Sequence, residues 1–337
     1  MATIIDTMQH RWFTSLLFIA SLLTLVLILT GSWLRLSDSG LGCPDFPGCH
    51  GQLYPPQTAS GSNNAYDAAQ AWRSMVHRYL AVLFAIIVVV LVIAARRMKS
   101  GRRYSLPLYL ALLLTLLQGG LGFLTISMQL HPAVVSLHLL TAMLILALLW
   151  SVYLNSKIIG ARYCERLPEI NLRPWTVIAF LLVSLQILLG GFTSSNYAAL
   201  ACPDLPTCQQ QWLPELDLSG IGQLLSRQEG NYQGGLLSNR QSVTVHMLHR
   251  YGAVITFFYI ALLSFLATRK KAAIYRNAGL LLAVVLLLQI QLGAANILLL
   301  LPLPVALAHT GGAALLLLCL VYLHHLTRHS KVSIYSK

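Results

Sequence analysis

Eight apolar runs, at residues 12–34, 72–95, 106–128, 132–154, 174–195, 243–267, 276–299 and 303–326, limit this chain to very few folds. Each is long enough to cross a hydrocarbon core about 30 Å thick, which takes about 20 residues of helix. Inside hydrocarbon every backbone N–H and C=O must find a partner within the protein, so runs of this length read as helices. The first run is longer than the apolar part of a signal peptide and lacks a small-x-small cleavage site, so it is expected to remain as a helix. The expected fold class is an all-α integral membrane protein with eight transmembrane helices.

A formal charge of +13 would suggest nucleic acid in a water-soluble chain. Its placement points elsewhere. Arg96, Arg97, Lys99, Arg102 and Arg103 fill the second connection, Lys157, Arg162, Arg166 and Arg173 the fourth, and Arg269, Lys270, Lys271 and Arg276 the sixth; Lys331 and Lys337 lie in the tail. The first and fifth connections carry Asp38, Asp45, Asp67, Asp204, Glu215 and Asp217 instead. By the positive-inside rule both termini and the basic connections are cytoplasmic. The basic balance is a signal of topology, and no nucleic-acid partner is expected.

The sequence repeats itself. Gly31 and Cys-Pro-Asp-Phe-Pro-Gly-Cys (43–49) recur as Gly190 and Cys-Pro-Asp-Leu-Pro-Thr-Cys (202–208). After an insertion at 209–242, His77-Arg78-Tyr79 recurs as His249-Arg250-Tyr251, Gln118 to Gly122 as Gln289 to Gly293, and His138 as His309. Each half holds four helices, an even number, so the halves share one orientation and form a parallel repeat. The expected organisation is a first four-helix bundle at 1–154, a cytoplasmic linker at 155–173 and a second bundle at 174–337. Residues 63–71 are expected to form a short surface helix leading into the second span.

The external cysteines read as two local disulfides, Cys43–Cys49 and Cys202–Cys208, with one zinc ion held by four thiolates as the competing reading. Cys164 and Cys319 are expected as free thiols.

His77, His138, His249 and His309 each lie five or six residues inside a span, roughly 8–10 Å below the external boundary at 1.5 Å per residue. Ionisable groups are costly in a membrane and point to function by default. Zinc favours three or four ligands, often with a carboxylate, and none lies near these histidines in sequence. Two imidazoles facing across a four-helix bundle suit the axial positions of a haem iron. Arg35, Arg78 and Arg250, near the same interface, are candidates for pairing with haem propionates or for snorkelling to the interface. The glycines of the third span read as tight packing or as a flat wall for a planar cofactor. His246, one turn before His249, is a candidate supporting partner. His131, His50, His10, His324, His325 and His329 read as solvated boundary, loop or surface residues.

These features together resemble the haem A synthase family, bacterial type, the haem O oxidases of cytochrome oxidase assembly. The resemblance rests on two four-helix repeats, the external Gly-Leu-Gly-Cys-Pro-Asp-Phe-Pro-Gly-Cys loop, His-Arg on the second and sixth spans, and histidines on the fourth and eighth. It covers nearly the whole chain. It implies oxidation of a haem O methyl group to a formyl group through successive hydroxylations. It also implies substrate haem O between His77 and His138, and a resident haem b between His249 and His309. Cys43–Cys49 would correspond to the family's external disulfide. The implied setting is a bacterial cytoplasmic membrane, with membrane lipid, a haem O synthase, an electron acceptor and a possible second copy of the chain as partners. In two respects the sequence departs from the family: Ser74 stands where the family has a glutamate, one turn before the second-span histidine, and Phe46 stands at a loop tryptophan. The serine keeps open a haem-binding or dihaem electron-transfer carrier without hydroxylase activity. A transporter would place broken helices at the bilayer midplane, and these spans are not notably interrupted.

Overall fold

The computed structural model describes residues 2–55, 68–157, 171–218 and 230–329. Its long helices are α1 (Ala2–Leu36), α2 (Ala68–Arg97), α3 (Ser105–Ser127), α4 (Pro132–Lys157), α5 (Arg173–Ser195), α6 (Asn239–Thr268), α7 (Ala273–Leu298) and α8 (Leu303–His329). All eight contain a stretch long and apolar enough to cross a membrane, and no strand occurs among the described residues. The chain is a multi-pass membrane protein.

Sequence chemistry sets the α3–α4 and α7–α8 turns. α3 ends with Gln129 and Leu130 at positive φ, where Leu130 N–H returns to Thr125 O at 2.7 Å and Gln129 N–H to Ile126 O at 2.9 Å. α7 ends the same way, with Leu301 N–H on Asn296 O at 2.7 Å and Leu300 N–H on Ile297 O at 3.2 Å. This double closure satisfies the last carbonyls of a helix. A proline follows each turn, Pro132 at the start of α4 and Pro302 just before α8, where its fixed φ suits a new helix. Both turns fold α3 on α4 and α7 on α8 as antiparallel neighbours.

Helices α1, α4, α5 and α8 pack against one another in the middle of the molecule. Ile28, Met143, Leu146, Val183, Ile187, Leu317 and Leu320 are buried there. α2 and α3 flank one side through Phe13, Leu17, Val88, Leu91, Leu108 and Leu149, and α6 and α7 flank the other through Ile260, Leu263 and Leu282. Apolar side chains such as Leu83, Ile86, Leu113, Leu280 and Leu287 face outward, as a hydrocarbon environment allows.

Several boundaries differ from the sequence expectation. α2 and α6 begin about a turn earlier than expected, because their first turns pack against the cysteine loops. Ala71 and Met75 cluster with Cys43 and Cys49, and Val243 and Met247 with Cys202 and Cys208. Residues 68–71 are therefore part of α2 itself, while 63–67 lie outside the described residues, as does Cys164. His131 is buried at 3% exposure, with its ring edge-on to Tyr232 at 4.9 Å, because the 230–238 segment folds over the α3–α4 turn. His325 is also buried, and His324 bonds Thr176 at 2.8 Å, since the end of α8 packs against the start of α5.

Candidate functional site

Each of the four deep histidines lies against a glycine on the neighbouring helix. A Cβ on Gly31 would meet His77 Cε1 at 3.2 Å, and one on Gly122 would meet His138 Cε1 at 3.4 Å. In the second half Gly190 stands in the same relation to His249 at 3.0 Å, and Gly293 to His309 at 3.2 Å. A side chain at any of these positions would push the imidazole inward. Sequence reasoning noted Gly31 and Gly190 as repeat markers and read Gly122 and Gly293 as tight packing or a cofactor wall, without connecting any of them with the rings.

The rings are held by polar partners on the same neighbouring helices. Thr30 Oγ1 donates to Leu27 O at 3.1 Å and lies 2.9 Å from His77 Nδ1. With its proton on Leu27 O, the hydroxyl accepts from Nδ1–H and leaves His77 Nε2 with a free lone pair; turned onto Nδ1, it would reverse the tautomer. Gln186 Nε2 lies 2.9 Å from both His249 Nδ1 and His249 O. As a donor to both, this amide puts the imidazole proton on Nε2; turned over, its oxygen would meet Nδ1–H and reverse the tautomer. Gln118 Nε2 donates to His138 O at 3.0 Å, and Gln289 Nε2 stands 3.4 Å from His309 Nε2. These are the glutamine partners that sequence left unnamed. Thr30 and Gln186 carried no signal, since a polar residue facing inward on an apolar helix is visible only once its face is known.

His77 and His138 lie within electrostatic reach of each other, as do His249 and His309. Nδ1 of His138 and Nδ1 of His309 are buried without a hydrogen-bond partner among the described residues. No group of three or more His, Cys, Asp or Glu arranged for a metal ion occurs among those residues. Two imidazoles without a third protein ligand do not fit a tetrahedral zinc site. They do fit a centre that takes one nitrogen from each side.

Above each pair sits a cysteine loop, and both loops are disulfide-bonded. Cys43–Cys49 and Cys202–Cys208 have Cα separations of 4.8 and 4.6 Å. The four-thiolate zinc reading is thereby excluded. The aspartate of each motif caps its loop: Asp45 accepts from His50 N–H at 2.6 Å and Gly51 N–H at 2.8 Å, and Asp204 from Gln209 N–H at 2.6 Å and Gln210 N–H at 2.9 Å. The Thr207 hydroxyl, then the Gln210 N–H, hold the Asp204 carboxyl down at about 2 against a small burial effect. Phe46–Pro47 and Leu205–Pro206 are cis peptides.

The arginine after each helix histidine reaches into this loop. Arg78 donates to Cys43 O at 3.0 Å, Asp45 O at 2.7 Å and Gly48 O. Arg250 donates to Cys202 O and Thr207 O at 2.8 Å and to Asp204 O at 3.0 Å. Arg35 bonds Ser194 O, pairs with Asp38 at 3.7 Å and lies over the Tyr197 ring at 3.9 Å, tying the C-terminal end of α1 to that of α5. His246 meets Ala198 O at 2.9 Å and Arg250 at 2.9 Å, so it supports the arginine and the loop rather than His249. Ser74, at the matching position of α2, is buried at 4% exposure.

Fold and site define an eight-helix membrane bundle with two intramembrane histidine pairs, each roofed by a disulfide loop that an arginine clamps. Residues 14–321 match the family described as cytochrome oxidase assembly protein, COX15-CtaA. The chain belongs to that family. It is 37% identical to a heme A synthase of Shewanella oneidensis over 97% of this chain and 99% of that one. It is also similar to heme A synthases of Wolbachia pipientis, at 26% identity over 92% and 97%, and of Methylobacterium radiotolerans, at 33% over 63% and 56%.

Proposed function

We propose that this protein is a haem A synthase, an integral-membrane oxidoreductase that converts a methyl group of haem O to a formyl group through successive hydroxylations. The observation that carries this reading is the repeated pairing of one imidazole with one glycine on each side of a bundle, four times over, in a chain 37% identical to a heme A synthase along its whole length.

The two tandem repeats, 1–154 and 174–337, divide the work. His77 and His138 receive the substrate haem O, and His249 and His309 hold a resident haem b. A bound haem supplies an iron that binds oxygen or exchanges single electrons. The chain's own residues do the rest. Thr30 fixes His77 in the tautomer whose Nε2 can bind iron, as partners of ligating histidines generally do. The glycines hold each ring at its depth while the apolar walls exclude water. Arg35, Arg78 and Arg250 stand at the external rim, where haem propionates would meet cations, and their carbonyl contacts hold the loops that form that rim. Ser74 offers a hydroxyl in place of a carboxylate. It can relay a proton through a hydrogen bond, but it does not take one up near neutral pH. The protein works in a bacterial cytoplasmic membrane with its termini in the cytoplasm, supplied by a haem O synthase and coupled to an electron acceptor.

The test is haem extraction and chromatography from cells expressing this chain together with a haem O source. Haem A in the extract, absent from a vector control, is the expected result. Red protein carrying only haem b or haem O, with no hydroxylated or formyl product, would replace the synthase by a haem-binding or electron-transfer protein.

A further inference from the structure

α4 carries His138, yet its N-terminal end is held by residues of the second repeat. Residues 230–238, from the insertion before α6, cross to the first repeat and lie over the α3–α4 turn. Tyr232 N–H donates to Gln129 O at 3.1 Å, and the buried Tyr232 ring stands edge-on to the His131 ring at 4.9 Å. Gln233 Nε2 donates to Asp38 O at 3.3 Å, just beyond the end of α1. The strap is braced on its own repeat. Gly235, at φ 84°, lies against Asn196 O next to the end of α5, where a Cβ would stand 2.8 Å away.

α5 holds the same end of α4 from the side. Ser195 Oγ lies 3.3 Å from both Ser136 Oγ and Pro132 O, and all three residues are buried. A Cβ on Gly191 would meet Leu139 Cδ2 at 3.3 Å and Ser136 Cα at 3.4 Å, so the two helix backbones approach closely beside His138. Small residues permit such an approach in a membrane bundle. The sequence does not repeat these polar residues. In the register that pairs Gly31 with Gly190 and His138 with His309, leucines stand at both serine positions, Leu36 and Leu307, and Pro302 stands at that of His131. Leu299 and Leu300, on the turn that matches the one under the strap, are 59% and 72% exposed.

His131 and His138 are seven residues apart, so they share one face of the chain entering α4, about 10 Å apart along its axis. Whatever fixes the start of α4 therefore also fixes the depth and rotation of His138. We propose that Tyr232 and Ser195 are positioning residues for the substrate site: the second repeat holds the start of α4 and thereby places His138 opposite His77. The inference rests on the assignment of that pair to haem O. Placement on this scale matters, because a misplacement of about 1 Å can cost about a hundredfold in a catalysed step.

The experiment uses the purified full-length protein in detergent, carrying its second-half haem, as wild type, Tyr232→Ala, Tyr232→Phe and Ser195→Ala. Each is titrated with haem O while the low-spin electron paramagnetic resonance signals of the two sites are followed. Hydrogen–deuterium exchange of the amides of residues 134–140 is read separately, before haem O is added. Tyr232→Ala should bind haem O about tenfold more weakly, with a shifted first-site signal. It should also speed exchange at 134–140 and leave the second-site signal as in wild type. Ser195→Ala, which removes one hydroxyl, should act in the same direction by about threefold. Tyr232→Phe keeps the ring contact and the backbone bond and should behave as wild type throughout. Unchanged haem O affinity and exchange in Tyr232→Ala would overturn the proposal. So would parallel changes at both haem sites, which mark a general loss of packing. Should Tyr232→Ala fail to fold, Ser195→Ala decides by the same criteria. A His138→Ala variant that binds haem O as well as wild type would instead remove the substrate-site assignment itself, whatever the strap does to exchange in α4.

Discussion

Arg250 donates its Nε–H to His246 Nε2 at 2.9 Å, and this one bond sets the tautomer of the histidine. With Nε2 accepting, the ring proton is on Nδ1, where it is donated to Ala198 O at 2.9 Å. Arg250 is thereby aligned to clamp three carbonyls of the second cysteine loop. In the first repeat the place of His246 is taken by Ser74, and Arg78 reaches its loop without a ring behind it.

Arg250→Lys should weaken the second loop. An ammonium cannot reach three divergent carbonyls and a ring nitrogen at once as a guanidinium does. Loss of charged-donor hydrogen bonds of this kind costs about 2 kcal/mol. Thermal melting of the purified protein should show a lower midpoint, and Cys202–Cys208 should be reduced by dithiothreitol faster than in wild type.

His77→Ala or His138→Ala should abolish turnover while the second-half haem stays bound. Pyridine haemochrome analysis of each purified variant measures this directly. Loss of all haem in either one would contradict the proposed division of labour between the repeats.

Gly190→Ala should disturb the second site through geometry alone. The new methyl group would stand 3.0 Å from His249 Cε1, so the ring must tilt. A shift of the low-spin electron paramagnetic resonance signal and about tenfold weaker haem retention are expected, the latter equal to about 1.4 kcal/mol. Gly119→Ala, with no heavy atom within 4 Å of its new carbon, should leave both properties unchanged.

Ser74→Glu should raise activity or leave it unchanged, since it restores the family's carboxylate one turn from His77. A large fall in haem A formation would show that this chain relies on a different proton acceptor.

The second loop should survive acid unusually well. Asp204 is held at about 2, below its ordinary value of 3.8, by the Thr207 hydroxyl first and the Gln210 N–H next. A lowered carboxyl contributes stability that is complete above its unfolded value and is lost as pH falls through the folded one. The loop contribution should therefore persist at pH 4 and disappear near pH 2. Thr207→Ala should move that loss upward in pH, as read from a carboxyl titration by nuclear magnetic resonance.

The eight helices were legible because hydrocarbon allows few alternatives for a 20-residue apolar run, and the histidine motifs because charge is rare in such runs. Helix ends were less legible. Ala68–Ala71 read as the end of a separate short surface helix and Asn239–Ser242 as inserted loop, yet both belong to the long helices, whose following turns pack against the cysteine loops. His131 read as solvated because burial at a boundary depends on a segment a hundred residues away.

From sequence alone came the number of spans, the internal repeat, the four deep histidines and the cysteine motifs, since each depends on local spacing or on the cost of polarity in lipid. Only the tertiary structure decided which helix face met which. It set each imidazole on a glycine, gave His77 to Thr30 and His249 to Gln186, paired the cysteines, and turned Arg78 and Arg250 onto loop carbonyls. In a bundle whose helices are apolar all round, hydrophobic pattern does not name the inward face; close packing and buried polar partners do.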